Sequence, residues 1–158
     1  MAASNVTAEL FGQADRLFRQ VELTTIYFDR ISAEVHDRSA FDLPDGTSIS
    51  TRITVILGHR LLDEKTIEFR HETRVAICPG GADGSAVVNT TIAVQFESND
   101  PIIAEPDALS AFGEIYSHRV MFPYLREAVQ SALTRVGIIG ATMALFKGPG
   151  LENLDPPH

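Results

Sequence analysis

The spacing of apolar residues changes once along this chain, near Pro106, and that change limits the folds open to it. Before it, apolar and polar residues alternate in the two-residue period of half-buried strands. Val21 to His36 reads as a long strand. Ser48 to Gly58 alternates cleanly, with Ile49, Thr51, Ile53, Val55 and Leu57 on one face and Ser50, Arg52, Thr54 and Ile56 on the other. Leu61 to Cys78 reads as one strand or two, and Ala86 to Glu97 as the last. After Pro106 the period becomes helical. Strands first and helices afterwards predict an α+β fold, with helices packed on one face of an antiparallel sheet.

Turn chemistry divides the segments. Pro44-Asp45-Gly46 is a turn signal, because proline presets one turn residue and glycine tolerates the next. Pro79 to Ser85 holds adjacent glycines and Asp83-Gly84, a hairpin loop. Asn99-Asp100-Pro101 ends the last strand. An N-terminal helix is predicted over Thr7 to Gln20, with Thr7 placed to cap it and Leu10, Phe11, Ala14, Leu17 and Phe18 as its stripe. Asp107 to Ser117 reads as a short helix. The next carries Phe122, Leu125, Val129, Ala132, Leu133 and Val136 on one stripe and stops at Gly137. Pro123 has no amide hydrogen to donate, so it marks a helix start or a kink. Ala141 to Phe146 reads as one more helical turn or two. We expect a single domain over residues 1–158, with 1–6 and 147–158 flexible.

Composition excludes several classes of function. The formal net charge is −8, with 13 Lys and Arg against 21 Asp and Glu, and the pI is about 5.0. Nucleic acid and anionic membrane surfaces call for a basic footprint, so neither is an expected partner. One cysteine, Cys78, precludes an intrachain disulfide. The start Met1-Ala2-Ala3-Ser4-Asn5 lacks a basic region followed by an apolar core, and no apolar run reaches membrane-spanning length. A cytoplasmic protein without membrane insertion is the expectation.

The chain shows no enzyme signature. His36, His59, His71 and His118 are scattered, and none pairs with another at helical spacing, so no metal set is advertised. Cys78 ends an apolar strand, where cysteine behaves as a small hydrophobe. Gly80-Gly81-Ala82-Asp83-Gly84 lacks the lysine and the following helix that a phosphate cradle needs. We expect no catalytic residue, no metal and no cofactor.

Two strings carry a family resemblance. Ile26-Tyr27-Phe28-Asp29-Arg30-Ile31-Ser32-Ala33-Glu34 forms an early strand, and Phe122-Pro123-Tyr124-Leu125-Arg126-Glu127 opens a late helix. An Ile-Tyr-x-x-x-Ile-Ser-x-Glu strand followed at this separation by a Phe-Pro-Tyr-x-Arg-Glu helix resembles the SecB export chaperones. The resemblance covers roughly residues 20 to 146. It implies a four-stranded antiparallel sheet with helices on one face, here with an added N-terminal helix. It also implies a homo-oligomer assembled as a dimer of dimers. The implied function is an ATP-independent holdase that binds unfolded client polypeptides in apolar grooves. The peptide-binding residues it suggests are Ile26, Phe28, Phe122, Tyr124, Leu125, Leu145 and Phe146.

Three departures bear on partners. Export members carry acidic residues where the motor ATPase SecA docks. Here the strand has Arg30 after Asp29, with Glu34 beyond, and Ala93-Val94-Gln95 stands where Glu-Val-Gln is usual. Arg30, Glu34 and Ala93 are therefore the expected partner-facing positions. The loop after the helix is shortened, with Gly140 to Phe146 keeping only the Ala-Leu-Phe ending. The acidic tail is reduced to Glu152–His158. These changes predict weakened SecA binding and favour the antitoxin-protecting or general holdases of the family. Two other readings remain open: a small-ligand-binding or enzymatic α+β domain that matches by chance, and a structural subunit whose apolar faces serve assembly.

Overall fold

A computed structural model describes residues 7–44, 49–81 and 84–138. The chain begins with helix α1 (Ala8–Phe18), capped by Thr7 Oγ1, which accepts from the Leu10 amide at 3.3 Å. Four strands follow: β1 (Val21–Val35), β2 (Ile49–Leu61), β3 (Thr66–Pro79) and β4 (Ala86–Ser98). Helix α2 (Pro106–Phe112) then runs through a π-helical turn, Gly113–Ser117, into α3 (His118–Arg135). The sheet is antiparallel in the order β1-β4-β3-β2, which makes β1 and β2 its two edges. The α+β architecture with helices on one face is the expected one. Leu61–Cys78 resolves into a single strand after a short turn. Asp63 builds that turn by accepting from the Lys65 and Thr66 amides at 2.7 and 2.8 Å.

Strand β1 departs from strict alternation for a physical reason. Its apolar residues Leu23, Ile26, Phe28 and Ile31 are spaced by three, two and three. Register shifts between Leu23 and Thr25 and between Phe28 and Arg30 absorb the extra residues. Each bulge returns the next apolar side chain to the helix-bearing face, where a plain strand would have turned it to solvent.

The core lies between that face and the helices. Phe69 of β3, Phe96 of β4 and Phe112 of α2 meet with ring centroids 5.1 to 6.0 Å apart. Gly113 opens the π turn because a Cβ there would lie 2.8 Å from both Leu57 Cδ2 and Phe69 Cδ1. Helix α1 packs on α2, stacking Phe18 on Tyr116 at 4.2 Å, and Tyr116 donates to Asp15 at 3.0 Å.

The opposite face is polar and bound to itself. The Glu68 side chain is 1% exposed there. It accepts from Tyr27 Oη at 2.6 Å, Gln95 Nε2 at 2.9 Å and Arg60 Nε at 2.9 Å, and Arg60 Nη2 lies 2.8 Å away. Those donors sit on β1, β4 and β2, so one β3 carboxylate ties all four strands. Burial pushes the Glu68 pKa up, but the three hydrogen bonds and the Arg60 charge outweigh it and hold the group below its ordinary range. Glu68→Ala should lower stability by about 3 kcal/mol, and the melting temperature by about 10 °C, in thermal denaturation. Glu72→Ala, on the same strand and exposed, should change it little.

Beneath α3, His71 is fully buried. Its Nε2 lies 2.8 Å from Ser117 Oγ, and its Nδ1 has no partner among the described residues. Burial, and then the neighbouring His118, lower its pKa to about 3. The unfolded chain therefore binds a proton below about pH 6.5 that the folded chain refuses. Stability should be full above 6.5 and fall toward pH 3, by about 1.4 kcal/mol per pH unit from this histidine alone. Melting scans across that window check it, and His71→Leu should flatten the decline.

Candidate functional site

Helix α3 crosses the helix-bearing face close to the β1 edge, leaving a groove of about 390 Å³ between them. Its β1 wall is Phe28, Ile31, Ser32 and Ala33, and its α3 wall is Tyr124, Ala128, Ala132 and Val136. Glu127, Ser131 and Arg135 rim it. Helical spacing produces the α3 wall, since 124, 128, 132 and 136 fall one turn apart. The bulge after Phe28 produces the β1 wall by keeping Ile31 on the same side as Phe28. Phe28, Ile31 and Tyr124 are 37%, 47% and 42% exposed, large apolar surfaces left facing water. Arg38 clamps one end of α3 by donating to the Val136 carbonyl at 2.7 Å.

The groove combines apolar surface with the backbone of an edge strand. Its walls are aliphatic and aromatic, its charges lie on the rim, and one wall is a strand edge. Ser32 borders the groove from the strand, but by register its side chain points to the far face between Arg30 and Glu34, where its Oγ is buried without a hydrogen-bond partner among the described residues. His71 and Ser117 form the other polar pair of note, but both are 0% exposed, so nothing from solution reaches them. Among the described residues no three His, Cys, Asp or Glu side chains gather as a metal set. None of the described helices is long and apolar enough to cross a membrane.

The residues expected to bind peptide divide into three groups. Phe28 and Tyr124 face each other across the groove. Ile26 and Leu125 instead join the core, Leu125 at 1% exposure, and Phe122 is half-buried with its ring 6.2 Å from His118. Leu145 and Phe146 lie outside the described residues. Ile31, Ser32 and the small residues Ala128 and Ala132 were not anticipated as groove residues. The three-residue step from Phe28 to Ile31 was the available signal.

The partner-facing set needs one correction. Arg30 and Glu34 are exposed on the far face. Ala93 is 0% exposed, because it lies in register between Tyr27 and Arg70, and Arg70 is paired with Asp29 over it. A methyl group there is covered by its neighbours and offers no surface to a partner.

For Pro123, of the two expected placements, a helix start or a kink, the structure takes the interior one. It is the sixth residue of α3, inside the helix and not at its start, because the π turn feeds α3 from His118. An interior proline removes one helical hydrogen bond, here to the Arg119 carbonyl. Pro123→Ala should therefore hold or raise the melting temperature; a fall of several degrees would show that proline's rigidity outweighs the missing bond.

No protein-family model matches the chain, and no curated protein matches it. Its fold is similar to that of the SecB-like chaperone Rv1957 of Mycobacterium tuberculosis, solved in complex with a ChAD peptide from the HigA1 antitoxin Rv1956. The TM-score is 0.67 at 18% identity, over 81% of this chain and 92% of that one. A protein of unknown function from Streptococcus agalactiae aligns at a TM-score of 0.38 and 16% identity, over 77% and 90% of the two chains, a weak likeness. The fold is thus SecB-like.

Proposed function

We propose that this protein is an ATP-independent holdase that keeps non-native polypeptide from aggregating. The observation that carries the reading is the β1–α3 groove, where Phe28, Ile31 and Tyr124 stay exposed beside a strand edge with no strand partner among the described residues, on a SecB-like fold. An unfolded client presents apolar side chains and unpaired backbone groups, and this groove offers partners for both. The acidic composition keeps so apolar a surface in solution.

Among holdase roles, protection of an antitoxin or of clients in general fits better than export. The related Mycobacterium chaperone was solved with an antitoxin peptide. On the far face, Arg30 presents a positive charge where a SecA-type partner would meet acid, and Ala93 is covered. Binding to SecA should accordingly be weak. The apolar surface left on the helix side also favours self-association, as a dimer of dimers in the cytoplasm.

Aggregation suppression of a chemically unfolded client tests the reading. The protein should suppress aggregation without nucleotide, and Phe28→Asp or Tyr124→Asp should weaken that suppression about tenfold, because a charge buried under a client must be desolvated. Native mass spectrometry on the same variants separates client binding from assembly. Equal suppression by both variants at an unchanged native mass would remove the groove from the function.

A further inference from the structure

Two charges on the rim of the β1–α3 groove are left over by the fold. Glu127 and Arg135 both border the groove, both are exposed, and neither has a hydrogen-bond or ion-pair partner among the described residues. Helical spacing explains why. An acid and a base three or four residues apart on a helix close on each other. These two are eight apart, about 12 Å along the axis, with Ser131 midway. Within α3, the positions three and four away from either are Pro123, Tyr124, Gln130, Ser131 and Ala132, and none is charged. Arg126 adjoins Glu127 but is turned about 100° around the helix.

The end of the helix sharpens the contrast between them. A helix C-terminus carries partial negative charge, which would oppose an acid beside Arg135. Arg38 offsets it by donating to the Val136 carbonyl at 2.7 Å. One wall of an apolar groove is therefore negative at Glu127 and positive at Arg135. The same two charges would also complement each other in an antiparallel contact of two α3 helices. On the side of α3 away from the groove, however, their neighbours are Gln130 and Thr134, so that contact would lack the apolar centre of a stable interface.

We propose that Glu127 and Arg135 select and orient what the groove holds: an apolar segment with one basic and one acidic residue four positions apart, the base against Glu127 and the acid against Arg135. Four residues of extended chain span about 13 Å and return side chains to the same side, which matches the separation of the two rim charges. The apolar residues of the segment lie on Phe28, Ile31 and Tyr124, and its order of base and acid fixes the direction in which it lies. The inference rests on the holdase reading of the groove and adds the charge pattern of the occupant.

The probe is a synthetic nine-residue peptide, apolar except for lysine at its third position and aspartate at its seventh, read by fluorescence anisotropy on the full chain. It should bind about fivefold more tightly than the version with glutamine and asparagine there, and the gap should close at high salt. Glu127→Lys should rank a peptide with two aspartates above the lysine–aspartate one, and Arg135→Glu should rank a peptide with two lysines above it. In the double exchange, Glu127→Arg with Arg135→Glu, the lysine–aspartate peptide should rank first again but lie reversed. A photo-crosslinker at its N-terminus should then move from the Tyr124 end of the groove to the Val136 end. Equal binding of the lysine–aspartate and glutamine–asparagine peptides at low salt, or one ranking shared by the native protein and both single variants, would overturn the proposal. So would a halved native mass in Glu127→Lys that the double exchange restores, which would assign the charges to a second copy. If the holdase reading itself fails, no peptide of the set binds the native protein and this inference falls with it; if the inference alone fails, the glutamine–asparagine peptide binds as well as the charged one.

Discussion

The carboxylate of Glu68 is the point on which the sheet depends. A buried carboxylate is stabilising only when its lone pairs are matched, and here Tyr27, Gln95 and Arg60 match them from the three other strands. The row fixes strand order and register on the face that has no helices to do so. It also leaves the far face satisfied internally. Tyr27 and the Asp29–Arg70 pair close over Ala93, so the polar surface is largely engaged with itself.

With one face closed, the other carries both the core and the proposed client groove. The three-phenylalanine cluster and the Gly113 approach fix α2 against β3 and β4 at the middle of the sheet. Among the described residues, three helices leave the flanks of a sheet whose strands run thirteen to fifteen residues uncovered. Those strips lie along β1 and β2, the two edges whose outer backbone groups have no strand partner among the described residues. Apolar surface beside an unpaired edge is an unstable arrangement for an isolated chain and a useful one for a protein that holds extended polypeptide.

The fold was legible in the sequence because the two periods are clean. The alternation of Ile49, Thr51, Ile53, Val55 and Leu57 placed β2 and its faces correctly, and Thr7 announced its own cap. The bulges of β1 were less legible, since a three-residue step between apolar positions also occurs in helices. The π turn was missed because nothing in Gly113–Ser117 distinguishes it from an ordinary helical turn, and that left Pro123 open between a helix start and an interior kink. The Glu68 row was invisible for a deeper reason. Its members lie 8 to 41 residues from Glu68, and only the strand register brings them together. The groove was half legible: the aromatic strings pointed to Phe28 and Tyr124, while Ile26 and Leu125, on the same strings, turned into the core.

The central claim is that non-native polypeptide occupies the groove between β1 and α3. Hydrogen exchange with and without a chemically unfolded client tests it most directly, because every backbone amide on both walls reports separately. Protection that appears on Phe28 to Ala33 and on the Tyr124 to Val136 stretch, with the far-face amides around Glu72 unchanged, is the predicted result. Client binding that leaves both walls unprotected would contradict it.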